Sequence, residues 1–139
     1  MVLYPQIIGK FTRLKLSSSL KRINPYKDGT ADSVMLIVIG TETYQKELRK
    51  WTKADREAAE KLPKQLSINP FVGSPLGYPF LREKRIREKR VYYLVYEDLK
   101  LVLLVATSGK KDQQATIDDL KEHLDNFREI AEDIAMQVS

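Results

Sequence analysis

Hydrophobic residues along this chain follow two periods. Val34 to Ile39 reads VMLIVI, a continuous apolar, β-branched run closed by Gly40. Its length suits a strand covered on both faces. Thr41 and Thr43 then offer hydroxyls that can cap a helix. Tyr44, Leu48 and Trp51 follow at spacings of four and three, one face of a helix. Thr52-x-x-Asp55 resembles a capping box with Asp in place of Glu, and Ala58, Ala59, Leu62 and Leu66 continue the apolar stripe. Pro63 interrupts it and should kink or end the helix near Lys61. The pattern predicts a helical hairpin over about 43–68.

Asn69-Pro70 opens a loop that Gly73, Pro75, Gly77 and Pro79 extend to about residue 79. Three strand-like segments follow, at about 80–87, 90–97 and 100–107, with turns at 87–89 and 97–99. Links that short make an antiparallel meander. In RVYYLVY (90–96), alternation places Arg90, Tyr92, Leu94 and Tyr96 on one face and Val91, Tyr93 and Val95 on the other. On the strand before it, Arg85 shares a face with Glu83 and Leu81. Thr116-x-x-Asp119 suggests a further helix start. Ile117, Leu120, Leu124, Phe127, Ile130 and Ile134 then recur every three or four residues, which predicts one long amphipathic helix over about 116–136. The fold class is therefore α+β: a small, mostly meander antiparallel sheet with an N-terminal helical hairpin and a C-terminal helix.

Composition narrows the class. With 139 residues, 42% of them hydrophobic and 31% charged, the chain suits one globular domain. It has no cysteine, which excludes disulfide scaffolds and thiol catalysis and fits a reducing compartment. No apolar run approaches the roughly 18 residues of a membrane span, and the first residues lack the apolar core of a secretory signal. A cytoplasmic, membrane-free location is the expectation. The charge map is more informative than the net +5. Segment 82–90, REKRIREKR, has six basic and two acidic side chains, whereas 112–139 has two basic and eight acidic ones. Residues 1–32 also balance to +4 and carry Pro5, Pro25 and an Asp28-Gly29 turn signal. They read as a basic, poorly ordered extension before a domain at 33–139. A basic middle beside an acidic end suggests a face for a polyanion.

Three stretches, NPFVGSPL (69–76), REKRIREKRVYYLVYED (82–98) and VLLVATSGKKDQQATI (102–117), resemble archaeal members of the RelE/ParE toxin superfamily. The resemblance covers about 34–135. It implies a RelE/ParE-like fold and, in the RelE branch, cleavage of mRNA in the ribosomal A site by a toxin that a small, acidic, helical antitoxin restrains. The ParE branch uses the same fold against DNA gyrase. RelE-type cleavage is attack of a ribose 2′-hydroxyl on the adjacent phosphate, which cations assist without a metal or other cofactor. Arginine binds phosphate oxygens bidentately, and a lysine crowded by cations can act as a base.

By that resemblance Arg90 matches the phosphate-contacting arginine and Lys111 the second functional basic residue, with Lys110 in its place if the register slips by one. Arg85 completes the expected catalytic set. Arg82, Lys84, Arg87, Lys89, Lys110 and Tyr92 are the expected RNA-binding residues. Leu81 and Glu83 stand where the best-known bacterial enzymes carry lysines, and Ile117 where they carry a tyrosine. Plainer roles stay open: REKRIREKR as a solvated edge, Arg90 paired with a carboxylate of the last helix, Lys110 and Lys111 as loop cations, and Tyr92, Tyr93, Tyr96 and Trp51 as core. His123, the single histidine, reads as a surface residue. A ribosome-dependent endoribonuclease is the leading reading. The alternatives are a non-catalytic or gyrase-directed member of the same fold, or a basic module whose sheet edge binds a partner.

Overall fold

A computed structural model of the chain describes residues 35–138. The basic extension expected at 1–32 lies outside the described residues. Among them, five strands form one sheet: β1 (Ile37–Gly40), β2 (Ser74–Pro75), β3 (Leu81–Ile86), β4 (Lys89–Tyr96) and β5 (Leu101–Ser108), in the order β1-β5-β4-β3-β2. Strands β3, β4 and β5 are the expected antiparallel meander. The sheet as a whole is mixed, because β1 pairs parallel to β5, Ile37 beside Leu101 and Gly40 beside Leu104. Parallel pairing requires a long crossover, which everything between residues 40 and 101 supplies. The two-residue β2 forms inside the segment expected to be loop, with Ser74 opposite Glu83 and Pro75 opposite Arg82.

The helices divide more finely than the sequence pattern suggests. Thr41 caps α1 (Glu42–Arg49) and Thr52 caps α2 (Lys53–Ala59), each hydroxyl accepting a backbone N–H at 3.2 Å. Pro63 then lies in the first turn of α3 (Leu62–Ile68), where a helix tolerates a missing N–H. The hairpin is thus three short helices. The long C-terminal helix is two: α4 (Gln113–Glu122) and α5 (Leu124–Val138). His123 causes the break. Its Nδ1 donates to the Asp119 carbonyl at 2.8 Å, and its own N–H turns to Leu120 instead. The side chain has taken the acceptor that an unbroken helix would give the backbone.

Both faces of the sheet are buried. Helices α1, α2 and α3 cover Val91, Tyr93, Val95, Val102 and Leu104 with Tyr44, Trp51, Leu62 and Leu66. Helices α4 and α5 cover Tyr92, Leu94, Leu101 and Leu103 with Ile117, Leu120, Ile130 and Ile134. The alternation expected along β4 holds. Along β5 it is shifted by a bulge: Tyr93 faces Leu104 and Tyr92 faces Ala106, leaving Val105 unpaired. Val105 and Ala106 consequently enter the same core, and every residue after them changes face. The upper edge of β5 has no strand partner beyond Gly40; there Glu47 accepts from the Thr107 N–H at 2.7 Å and its hydroxyl at 2.9 Å. A carboxylate occupies the place a neighbouring strand would fill.

Among the described residues one buried side-chain polar atom is left over. The Tyr96 hydroxyl is enclosed and has no hydrogen-bond partner among the described residues. Burial drives its phenol well above the ordinary tyrosine range; Arg128 opposes the shift, and Asp98 and Glu132 add to it. Replacing Tyr96 by Phe removes the orphan oxygen and should raise the unfolding free energy by about 1 kcal/mol at neutral pH, read by urea denaturation. The fold favours the neutral phenol, so its contribution is intact below a pH of about 10, the unfolded value, and is lost as pH rises through the higher folded value. The Phe variant should therefore lose less stability than the parent above that pH.

Candidate nucleic-acid site

The cations of REKRIREKR do not share one role. Arg82 faces the helical-hairpin side and grips the loop beneath it. Its guanidinium donates to the carbonyls of Phe71 (3.3 Å), Gly73 (2.8 Å) and Pro79 (2.8 Å) and stacks 5.1 Å from the Phe71 ring. Its donors therefore serve the backbone. The same loop is held from below by Tyr93, whose hydroxyl accepts from the Gly73 N–H at 3.0 Å and donates to the Pro70 carbonyl at 2.8 Å. A Cβ on Gly73 would lie 2.4 Å from the Glu83 carbonyl, so only glycine allows the strand to pass this close. Arg87 is bound too. It occupies the β3–β4 turn at φ 57° and pairs with the sheltered carboxylate of Asp55 at 2.7 Å, tying the hairpin tip to α2.

Tyr92 is fully buried, its hydroxyl 2.8 Å from Ser108 Oγ, and so offers no face for a base. Burial pushes its phenol above the usual range; the Ser108 bond opposes this, Glu83 adds to it and Arg90 works against it. Leu81 and Ile117, where the resemblance leads one to look for lysine and tyrosine, are core residues.

The remaining cations gather at one end of the sheet. Arg85 is the direct cross-strand partner of Arg90, and Arg90 of Ser108. Directly opposed residues project to the same face with Cβ atoms about 5 Å apart. Arg85, Arg90 and Ser108 therefore form a row across three strands, and the chain leaves that row as Gly109, Lys110 and Lys111 on its way into α4. The bulge in β5 puts Ser108 on this face; unbroken alternation would have turned it away. Arg85 is open, its side chain 63% exposed, with Nε donating to the Arg87 carbonyl at 3.0 Å and a long contact to Glu88 at 3.8 Å. Lys110 and Lys111 are exposed and have no carboxylate within 4 Å among the described residues. Lys84 and Lys89 are half-exposed on the strands flanking the turn. Lys84, next to Arg85, lies on the opposite face.

Arg90 is more sheltered, at 12% side-chain exposure, and its partner is Glu83 rather than a residue of the last helix. The two charges are 3.9 Å apart, too far for a hydrogen bond. Glu83 Oε1 accepts from Gln113 Nε2 of α4 at 2.8 Å. Spacing alone could not reveal this polar group, because Gln113 is thirty residues from Glu83. The last helix does supply a paired arginine, Arg128, bound to Asp98 at 2.6 Å and Glu132 at 2.8 Å.

Two other features lie away from the row. Asp119, Glu122 and His123 could offer ligand atoms to a metal within 4.8 Å of one another, exposed at the opposite end of α4. A cleft of about 610 Å³ opens on the β1 side of β5, lined by Thr41, Glu47, Thr107, Thr116, His123 and Phe127 among others. No helix among the described residues is long and apolar enough to cross a membrane.

The division of labour is testable. Arg82→Ala should lower stability by about 2–3 kcal/mol in urea denaturation and open the 71–79 loop to limited proteolysis. An equal loss of RNA affinity with no loss of stability would contradict its role as a loop clamp.

No family model matches the chain, and no curated protein matches it. Solved structures do. A mutant of E. coli toxin RelE in the free state superposes with a TM-score of 0.52 at 18% identity, over 62% of this chain and 92% of that one. A mutant of the same toxin in complex with an antitoxin RelBc peptide gives 0.51 at 18%, over 61% and 94%. The toxin–antitoxin complex RelBE2 from Mycobacterium tuberculosis gives 0.50 at 22%, over 55% and 93%. The described residues thus have a RelE-like α+β fold, with five strands in a mixed sheet between two helical layers.

Proposed function

We propose that this protein is the toxin of a type II toxin–antitoxin pair, of the archaeal RelE-like branch, and that it arrests translation in the cytoplasm by cutting ribosome-bound mRNA. The cross-strand row of Arg85, Arg90 and Ser108, leading directly into Lys110 and Lys111, carries this reading. It concentrates positive charge at one end of a stiff sheet, where phosphate-binding groups are held more accurately than on loops. Arg90 and Arg85 would bind the non-bridging oxygens of the scissile phosphate. As the 2′-oxygen attacks, charge builds on those oxygens, and fixed guanidinium groups stabilise it without reorganising. Lys111, which has no carboxylate within 4 Å among the described residues, would donate a proton to the departing 5′-oxygen. Lys84, Lys89 and Lys110 would contact flanking phosphates. The partner is expected to be a small, acidic, helical antitoxin whose carboxylates neutralise the row.

The buried Leu81 favours a second reading: one position where the resemblance expects a lysine is part of the core, which fits a non-catalytic or gyrase-directed member of the fold. One set of assays separates the two. In cell-free translation, micromolar wild type should halt synthesis and leave cleaved message, while Arg90→Ala should cut the cleavage rate by roughly 10²–10³-fold. Uninhibited synthesis would remove the nuclease reading, and loss of gyrase supercoiling under the same conditions would install the second.

A further inference from the structure

We propose that Glu83 is the general base of this site, the residue that takes the 2′-hydroxyl proton. The proposal rests on the ribonuclease reading above and adds the group that reading leaves unassigned. Register fixes the placement. Glu83 is the cross-strand partner of Tyr92, and Arg85 that of Arg90, so Glu83 stands one side-chain step behind the cationic row on the same face. Its two oxygens are in different situations. Oε1 is held by Gln113 Nε2 at 2.8 Å. Oε2 faces Arg90 Nε across 3.9 Å, with no hydrogen bond between them. The carboxylate is therefore oriented from α4 with its second oxygen beside the guanidinium that would hold the phosphate, and it also interacts with the Tyr92 hydroxyl. At 15% side-chain exposure it is sheltered yet reachable.

The other groups around the row are poor proton acceptors. Arg85, Arg90, Lys110 and Lys111 are cations. The Tyr92 and Ser108 hydroxyls bond each other at 2.8 Å, and Ser108 donates to the Gly109 carbonyl at 2.9 Å. His123 is at the opposite end of α4 and bound to Asp119. Glu88 and Asp112 are exposed, on the turn and the loop rather than on the strand-fixed row. A carboxylate beside a phosphate-binding arginine weakens anion binding. A sheet-fixed position with one oxygen anchored by Gln113 and the other turned toward Arg90 suits proton transfer better than phosphate affinity.

The step balances. Glu83 Oε2 removes the proton from O2′ as the O2′–P bond forms. The P–O5′ bond breaks, and a proton from Lys111 goes to O5′. The products are a 2′,3′-cyclic phosphate and a 5′-hydroxyl. Solvent then takes the proton from Glu83 and returns one to Lys111, with no change of oxidation state.

The test is single-turnover cleavage of message on programmed ribosomes. Glu83→Gln keeps the shape, and its amide oxygen can still accept from Gln113. Its cleavage rate constant should fall 10²–10⁴-fold while half-saturation by ribosomes is unchanged. Glu83→Asp should recover part of the rate, and added formate should restore cleavage to Glu83→Ala, which a purely structural role would not allow. A Glu83→Gln variant that cuts as fast as wild type, or faster, overturns the proposal and leaves the ribonuclease reading standing. So does a loss in both variants that formate does not rescue. A wild type that cuts no ribosome-bound message overturns both.

Discussion

A sheet buried on both faces leaves charge almost nowhere to go, and that constraint organises the whole molecule. From Val91 to Tyr96 every residue of β4 is buried, as is β5 from Leu101 to Ala106. An ionised side chain in such a place would need a partner and full hydrogen bonding to offset its desolvation. Polar chemistry is therefore confined to the strand ends. In an antiparallel meander the end of β3, the start of β4 and the end of β5 coincide in space. Arg85, Arg90 and Ser108 meet there by topology, without any loop having to carry them together. Antiparallel pairing thus converts three distant stretches of sequence into one row of side chains.

The same end shows why a run of cations cannot be treated as a single patch. In REKRIREKR, alternate residues belong to opposite faces until the turn, and the turn itself points outward. Arg82 is committed to the carbonyls of the 71–79 loop, and Arg87 to Asp55. Those contacts anchor β2 and the hairpin tip, and so fix the geometry from which Arg85 and Arg90 project. Exposed pairs such as Arg85 with Glu88 contribute little to stability, on the order of 0–1 kcal/mol, so the open cations are not there to hold the fold.

The meander, the capping threonines and the faces of β4 were legible because each rests on local periodicity or a single capping hydroxyl. Three features were not. The parallel pairing of β1 depends on which edge of the sheet is open once the meander has formed, and no local pattern encodes that. The break at His123 was hidden because Leu120, Leu124 and Phe127 keep helical spacing straight through it, while one ring nitrogen takes a backbone carbonyl. The bulge at Val105 was hidden because VLLVATS reads equally well in either phase. For the candidate site, alternation placed Arg85 and Glu83 on one face, but neither the cross-strand register that sets Arg85 against Arg90 nor the contact from Gln113 to Glu83 was visible in it.

Arg85 directly opposite Arg90 is, on local grounds, a poor choice. Like charges in a cross-strand pair are destabilising by roughly 0.2–1 kcal/mol, and a strand end could have carried one carboxylate there instead. Glu83 is one step away and Glu88 lies in the turn, and neither forms a close ion pair with the row: the contacts are 3.9 and 3.8 Å. The repulsion is therefore moderated and not removed. Chains tolerate such local conflicts where the arrangement itself is needed and the remaining structure is stable enough to impose it. Here the two apolar layers on either side of β4 impose it, and the unrelieved charge at the sheet's end is what an incoming phosphate would relieve.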